Sequence, residues 1–284
     1  MAKLLEGKPL AEKIKAEIIR QVQSLKAKPV LASIQAGENP GAEAYVKSQK
    51  KTAEALGIEY QLHRLAPETA EGQLIDFIRG LNQDKSINGI IVQLPLPQQI
   101  DYKKMSQFIS PEKDVEGMHP ANIGKIVFGK AKILPCTPAA VMELLQETGV
   151  DLYGKEAVVV GHSEIVGKPL ALLLLDKFVT TTVCHIGTAQ AGKLEEHVRA
   201  AEVLVVAVGK AGLIKGEWIK EGAIVIDVGI NRVGDKIVGD VEFQAAEKRA
   251  AWITPVPGGV GPLTVTMLMR NLVEAAKLQE GLSP

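Results

Sequence analysis

Short apolar strands alternate with segments of helical period along most of these 284 residues. That alternation restricts the fold more than any single motif does. Between Leu10 and Leu25, apolar residues recur at Leu10, Ile14, Ile18, Val22 and Leu25 on a charged background, the spacing of an amphipathic helix. Pro29–Ile34 reads as a buried strand, followed by turn residues over Gly37–Gly41. Ala42–Leu56 reads as a helix stopped by Gly57. Ile58–Leu65 is a second strand, Gly72–Gln83 a helix and Gly89–Leu94 a third strand. Strands that return through helices must lie parallel, so an α/β fold is expected.

Prolines 95, 97, 111, 120, 135 and 138 then break the pattern and read as a connection between domains that carries functional loops. A helix over Pro138–Thr148 leads into a second α/β unit, with strands at Ala157–Val160, Thr181–Cys184, Val203–Val208 and Ala223–Val228. A last helix, roughly Thr264–Leu278, follows a second glycine-proline cluster and is expected to pack back on the first domain. The expected division is therefore 1–137 plus 264–284 for one domain and 138–263 for the other, each large enough for its own core.

Charge excludes some functions. Lys+Arg and Asp+Glu number 33 each, so the formal net charge is zero. No nucleic-acid or anionic-membrane partner is expected, and an anionic substrate would need a local basic pocket. Cys136 and Cys184 are too few for a disulfide framework and lack CxxC spacing, which fits a reducing compartment. The first residues lack the apolar stretch of a signal peptide. The greasiest segment, Leu170–Leu175, is far shorter than the roughly 18 apolar residues of a membrane span. A cytoplasmic protein is expected. His63, His119, His162, His185 and His197 show no metal-ligand pairing with cysteine or carboxylate, so no metal is expected.

The segment Val158–Pro169 reads as a strand, a glycine turn and a helix start. Gly161 and Gly167 let the backbone approach a diphosphate, which the free N–H groups and positive dipole of a helix N-terminus attract. Ser163 stands where G-x-G-x-x-G has its second glycine, so the turn alone is weak evidence. Ala207-Val208-Gly209 and Asp227-Val-Gly229-Ile230-Asn231 add small residues at the carboxyl edge of the same inferred sheet, where open α/β sheets bind ligands. Three glycine-bearing strand ends point to a dinucleotide pocket, making this a Rossmann-like domain.

With these motifs in view, the chain resembles the bifunctional methylenetetrahydrofolate dehydrogenase/methenyltetrahydrofolate cyclohydrolase family. The ordered strings are Tyr45-Val-Lys-Ser-Gln-Lys-Lys, Val92-Gln-Leu-Pro-Leu-Pro97, Pro111-Glu-Lys-Asp-Val-Glu-Gly117, Pro135-Cys-Thr-Pro138, Val160–Pro169, Asp227–Asn231 and Thr254–Thr264. The resemblance implies oxidation of 5,10-methylenetetrahydrofolate by NADP or NAD, then hydrolysis of the methenyl product to 10-formyltetrahydrofolate. It also implies folate bound between the domains, a homodimer formed through the dinucleotide domain, and no metal. On the folate side it implies Tyr45 as the stacking residue and Gln93 as a supporting amide. Glu116 stands where the family usually has Asp to bind the pterin, and Leu94, Gly261, Pro262 and Thr264 wall the folate. On the cofactor side it implies Gly161, His162, Ser163, Ile165, Val166, Gly167, Val208, Gly209, Gly229 and Ile230.

Position 49 departs from that pattern. The family has Lys there for the hydrolytic step, and this chain has Gln49, one helical turn from Tyr45. An amide hydrogen-bonds but exchanges no proton near neutral pH. Lys50 lies about 100° around the helix and reads as a surface lysine. Hydride transfer needs orientation rather than acid or base, so the dehydrogenase step is compatible with Gln49. A dehydrogenase-only member is the alternative, with a non-catalytic folate binder behind it. The cofactor is left open in the same way. NADP users in the family carry a basic residue at position 162 and a Ser-Lys or Ser-Arg pair at 186–187, where this chain has His162, Ile186 and Gly187. NADP follows from the resemblance and NAD is the alternative, with His162 and His185 as the available partial charges. A dehydrogenase of hydroxy, keto or amino acids would need a proton-transferring residue, for which only His162 or His119 offers itself.

Overall fold

A computed structural model describes residues 1–37 and 39–282; Glu38, inside the expected Gly37–Gly41 turn, lies outside the described residues. In chain order the elements begin with β1 (Lys3–Leu4), α1 (Gly7–Ser24), β2 (Val30–Ala36), α2 (Pro40–Ala55), β3 (Glu59–Leu65), α3 (Glu71–Gln83) and β4 (Gly89–Val92). Next come α4 (Tyr102–Met105), α5 (Pro120–Val127), α6 (Cys136–Glu147), β5 (Glu156–Val160), α7 (Gly167–Leu175), β6 (Thr180–Cys184), α8 (Ile186–Gln190) and α9 (Leu194–Ala200). The chain closes with β7 (Val203–Val206), β8 (Ile224–Asp227), β9 (Asn231–Val233), β10 (Lys236–Val238), α10 (Phe243–Ala246), β11 (Trp252–Ile253) and α11 (Gly261–Gln279). Two compact units result, Lys13–Cys136 with the residues from Val265 on, and Met1–Glu12 with Thr137–Thr264.

The unit that begins at Lys13 holds a parallel three-stranded sheet in the order β3-β2-β4. All seven residues of the central β2 are buried, as a strand covered on both faces requires. Its core gathers Ile34, Leu74, Ile78, Ile90 and Met105. Asn39 starts α2 by accepting the Gly41 and Ala42 N–H groups on its side-chain oxygen at 2.9 and 3.1 Å, with Pro40 at the first helical position. β4 ends at Val92, two residues before the expected Leu94. The Gln93 N–H still donates to the Ile34 carbonyl (2.8 Å), and Pro95 and Pro97, which lack N–H donors, stop the ladder. Beside β4 runs Lys113–Glu116, joined through the Ile90 N–H to the Lys113 carbonyl at 2.8 Å. The Lys113 ammonium turns back to the carbonyls of Leu81 (2.9 Å) and Asp84 (2.6 Å) at the C-terminus of α3. Asn271 of α11 holds the same region by donating to the carbonyls of Val115 (2.8 Å) and Leu134 (2.7 Å). α11 itself begins at Gly261, three residues ahead of the expected start, because Pro262 is tolerated in a first helical turn.

The other unit is a six-stranded parallel sheet, β1-β11-β8-β7-β5-β6. β6 lies on one side of β5 and β7 on the other, so the winding reverses at β5/β7. That reversal opens a crevice at the carboxyl ends of the two strands. The sequence expectation put residues 1–12 with the first half of the chain. They lie in this unit because Lys3 and Leu4 pair with Trp252 and Ile253, and a two-residue strand leaves no readable period. The antiparallel hairpin β9-β10 had no sequence expectation either. Among the described residues, no helix is long and apolar enough to cross a membrane.

Candidate active site

In the unit of the three-stranded sheet, α2 places Tyr45 and Gln49 one turn apart with opposite exposure. The Tyr45 ring is 40% exposed, whereas Gln49 is fully buried. The Gln49 side-chain oxygen accepts hydrogen bonds from the Tyr60 hydroxyl and from Gln93 Nε2, both at 2.9 Å. Gln93, also buried, donates in addition to Ser33 Oγ at 3.0 Å. β2, β3 and the end of β4 thus supply three side chains that fix one amide. The Gln49 Nε2 group is buried and has no hydrogen-bond partner. A donor left in that state is costly unless a ligand meets it. Burial pushes the Tyr60 phenol up to about 12, so it keeps its proton at neutral pH. Lys50 lies on the surface, 4.0 Å from Glu54.

Glu116 follows the segment paired with β4, and its Oε2 accepts from the Tyr102 hydroxyl at 3.2 Å. Burial, followed by the negative charge of Asp114, pushes the Glu116 carboxyl up to about 7. Asp114 is a bracket for the loop, since its Oδ2 accepts from the His119 N–H (2.7 Å) and from Asn122 Nδ2 (3.0 Å). His119 caps α5, its Nδ1 accepting the Ala121 N–H at 3.0 Å. Leu94 is 45% exposed beyond the end of β4. Tyr60, Ser33 and Tyr102 carry no sequence signal as site residues: two of them sit inside strand patterns and the third in a proline-rich stretch.

In the other unit, Gly161 has φ +125° at the end of β5, a conformation that favours glycine. A Cβ there would stand 2.3 Å from the Ala207 carbonyl oxygen, and a Cβ on Gly167 would stand 1.9 Å from the Gly161 oxygen. The two glycines therefore allow β5, the end of β7 and the start of α7 to converge at the switch point. Ser163 shapes this turn, its Oγ accepting the Val166 N–H (3.2 Å) and its carbonyl the Lys168 N–H (3.0 Å). His162, Ser163 and Ile165 are exposed along the crevice, Val166 is half-buried, and Gly167 is buried. The fit to a dinucleotide diphosphate rests on this cradle, which any side chain at Gly161 or Gly167 would fill. Beside this turn the rings of His162 and His185 lie 5.2 Å apart, and His185 Nδ1 accepts the Gly187 N–H at 3.1 Å. Ile186 is 70% exposed beside them.

A cavity of about 200 Å³ brings together Gly229 and Ile230, expected at the cofactor, with Gly261 and Pro262, expected at the folate. Thr264 is adjacent in sequence, its hydroxyl donating to the Gly261 carbonyl at 2.8 Å. Val208 and Gly209 stand at the end of β7, but their N–H groups are already donated to Asp240 Oδ2 at 2.7 and 3.0 Å. Asp240 is a residue that sequence reasoning missed, since its motif gives no hint of where the chain returns. No three His, Cys, Asp or Glu side chains gather to hold a metal among the described residues.

Comparison with known proteins matches nearly the whole chain. Residues 5–116 match the family described as tetrahydrofolate dehydrogenase/cyclohydrolase, catalytic domain. Residues 135–280 match the NAD(P)-binding domain of the same family. The chain is 52% identical over 282 residues to the bifunctional protein FolD 2 of Geobacter sulfurreducens, covering 98% of each chain. The bifunctional FolD methylenetetrahydrofolate dehydrogenase/cyclohydrolase of Campylobacter jejuni has a similar structure, with TM-score 0.94 at 44% identity over 98% of this chain and 99% of that one. The Trypanosoma brucei enzyme, solved with NADP and an inhibitor, superposes with TM-score 0.91 at 39% identity over 98% of each chain.

Proposed function

The chain belongs to the tetrahydrofolate dehydrogenase/cyclohydrolase family, and from that membership we propose that it oxidises 5,10-methylenetetrahydrofolate to 5,10-methenyltetrahydrofolate with NADP or NAD, the methenyl product being hydrolysed to 10-formyltetrahydrofolate. The observation that supports this most directly is one cavity, lined by Gly229, Ile230, Gly261 and Pro262, that gathers residues expected at the cofactor with residues expected at the folate. Folate binding is assigned to residues 13–137 with 264–284, and dinucleotide binding to 138–263 joined by Met1–Glu12.

The chemistry follows from what these side chains can do. Nitrogen lone pairs of the folate expel the hydride, so this step asks the protein for orientation and exclusion of water. NADP or NAD, when bound, supplies the ring that accepts the hydride. Tyr45 offers an exposed aromatic face for stacking. The Glu116 carboxylate accepts the N–H donors of a pterin edge. The unpartnered Gln49 Nε2 donates to a folate acceptor, with Gln93 and Tyr60 holding the amide in place. Leu94 is assigned to the folate in the one unit, and Thr264 in the other. The Gly161–Gly167 turn presents the α7 N-terminus to the diphosphate, with His162, Ser163, Ile165, Val166 and Val208 along its course.

One observation favours a second reading, a dehydrogenase that stops at the methenyl stage. Hydrolysis needs a group to take a proton from water and return one to the departing ring nitrogen. Gln49 does neither, and Lys50 is directed to the surface. Purified protein given methylenetetrahydrofolate with NADP, then with NAD, separates these readings when reduced dinucleotide and methenyl absorbance are followed together. Transient methenyl supports the two-step enzyme, and stoichiometric accumulation supports the dehydrogenase alone. Failure to reduce either dinucleotide would sink both. Running both dinucleotides also ranks NADP against NAD, which the pair His162/His185 leaves balanced. A homodimer formed through the dinucleotide-binding part, working in the cytoplasm, completes the proposal; two free cysteines without a disulfide fit that compartment.

A further inference from the structure

Two buried carboxylates, Asp240 and Asp227, accept hydrogen bonds from the loops that follow β7 and β8. Asp240 is completely buried and Asp227 is 4% exposed. Asp240 Oδ2 accepts the N–H groups of Val208 (2.7 Å) and Gly209 (3.0 Å), and its Oδ1 accepts the Lys210 N–H (2.8 Å) and Asn231 Nδ2 (2.8 Å). Asp227 carries the level below. Its Oδ1 accepts the N–H groups of Gly229 and Asp240, each at 3.0 Å, and its Oδ2 accepts that of Val241 at 2.9 Å. Seven donors thus converge on four oxygens, and six of the seven are backbone N–H groups. The packing leaves no slack: a Cβ on Gly229 would lie 2.2 Å from Asp240 Cγ, and one on Gly239 would lie 1.9 Å from Asp227 Oδ2.

Three successive N–H groups around one anion form the kind of concavity that elsewhere binds phosphate. Here the protein's own carboxylate fills it. The loop after β7 is therefore closed to a ligand anion, while the face above Gly209 is open, with nothing within 4 Å of a Cβ placed there. We propose that Asp240, seated on Asp227, is the positioning residue of the dinucleotide site. It sets Val208–Lys210 against Gly229–Asn231 at the spacing that admits the cofactor, and it leaves the Gly161–Gly167 turn as the anion-binding point of this edge. The inference rests on the dinucleotide-binding reading of this unit.

The test is Asp240→Asn, which keeps the shape but turns an NH₂ group toward N–H donors. Steady-state kinetics are run with NADP and NAD, and thermal unfolding alongside. The expected result is a KM for the dinucleotide raised about tenfold or more, with kcat at saturating dinucleotide and the KM for methylenetetrahydrofolate within about twofold of wild type. A merely structural role would lower kcat and stability without that split. An unchanged dinucleotide KM overturns the inference, as does a fall in kcat alone. Should Asp240→Asn fail to fold, Asn231→Ala removes one donor of the four. It is then expected to raise the dinucleotide KM about threefold with little change in melting temperature, and an unchanged KM overturns the inference equally. Wild-type protein that uses neither dinucleotide would instead refute the underlying functional reading.

Discussion

Glu116 and Gln49 are the two side chains on which the proposed folate chemistry turns. Glu116 has its carboxyl pushed up to about 7 from 4.5 by burial and by Asp114. A folded-state pKa above the unfolded value means that folding takes up a proton between about 4.5 and 7. The stability this group contributes is full below that window and is lost as pH rises through 7. Glu116→Gln removes the ionisation penalty, so its melting temperature should exceed wild type at pH 8 and match it near pH 5, as differential scanning calorimetry would record. In its proposed role the same carboxyl accepts from the pterin best when ionised. The wild-type KM for methylenetetrahydrofolate should therefore fall between pH 6 and pH 8, and that fall should be absent in Glu116→Gln. At position 49 the useful change is a gain. Gln49→Lys puts a titrating amine where an amide now sits, and it should speed methenyl hydrolysis by about a hundredfold, the usual range of general acid–base assistance. No acceleration in the decay of methenyl absorbance would mean that the amide is not what limits that step. The sequence made both departures visible, because each falls inside a recognisable string. It could not show that Tyr60 and Ser33 stand behind Gln49, since they are distant in the chain and only the β3-β2-β4 order brings them together.

Among the elements, the β5–turn–α7 junction tolerates little change. Its geometry requires the absence of side chains at two points, with contacts of 2.3 and 1.9 Å awaiting any Cβ. Gly167→Ala must move either the α7 N-terminus or the Gly161 carbonyl. The expected cost is about 1–3 kcal/mol of stability and about a tenfold weaker dinucleotide, read by thermal melts and fluorescence titration; wild-type binding would show that the junction yields more easily than its contacts imply. This element was legible in the sequence because glycines between an apolar strand and a helix have few uses. Main strands and helices were legible for a similar reason, their period being long enough to count. β1, β9 and β10 were not, at two or three residues each. The Asp227–Asp240 pair escaped too, because a buried acid has the same letter as a surface one and only the fold reveals its seven donors.

At the scale of the whole molecule, zero formal charge and a pI near 7.0 remove the long-range repulsion between copies at neutral pH. The proposed homodimer should accordingly show a mass twice the 30.4 kDa of one chain by light scattering at neutral pH; a monomer at micromolar concentration would reject it. Solubility should be poorest near pH 7 and improve on either side. The pairing of β1 with β11 adds a constraint in time. Lys3 and Leu4 leave the ribosome about 250 residues before Trp252 and Ile253, a wait on the order of 10–50 s at ordinary elongation rates. Val115 and Leu134 likewise wait for Asn271 of α11, which follows them by 156 and 137 residues and is made after Ile253. Neither unit can close while the chain is being made, so translation that halts before residue 252 should release a product with both units unfinished.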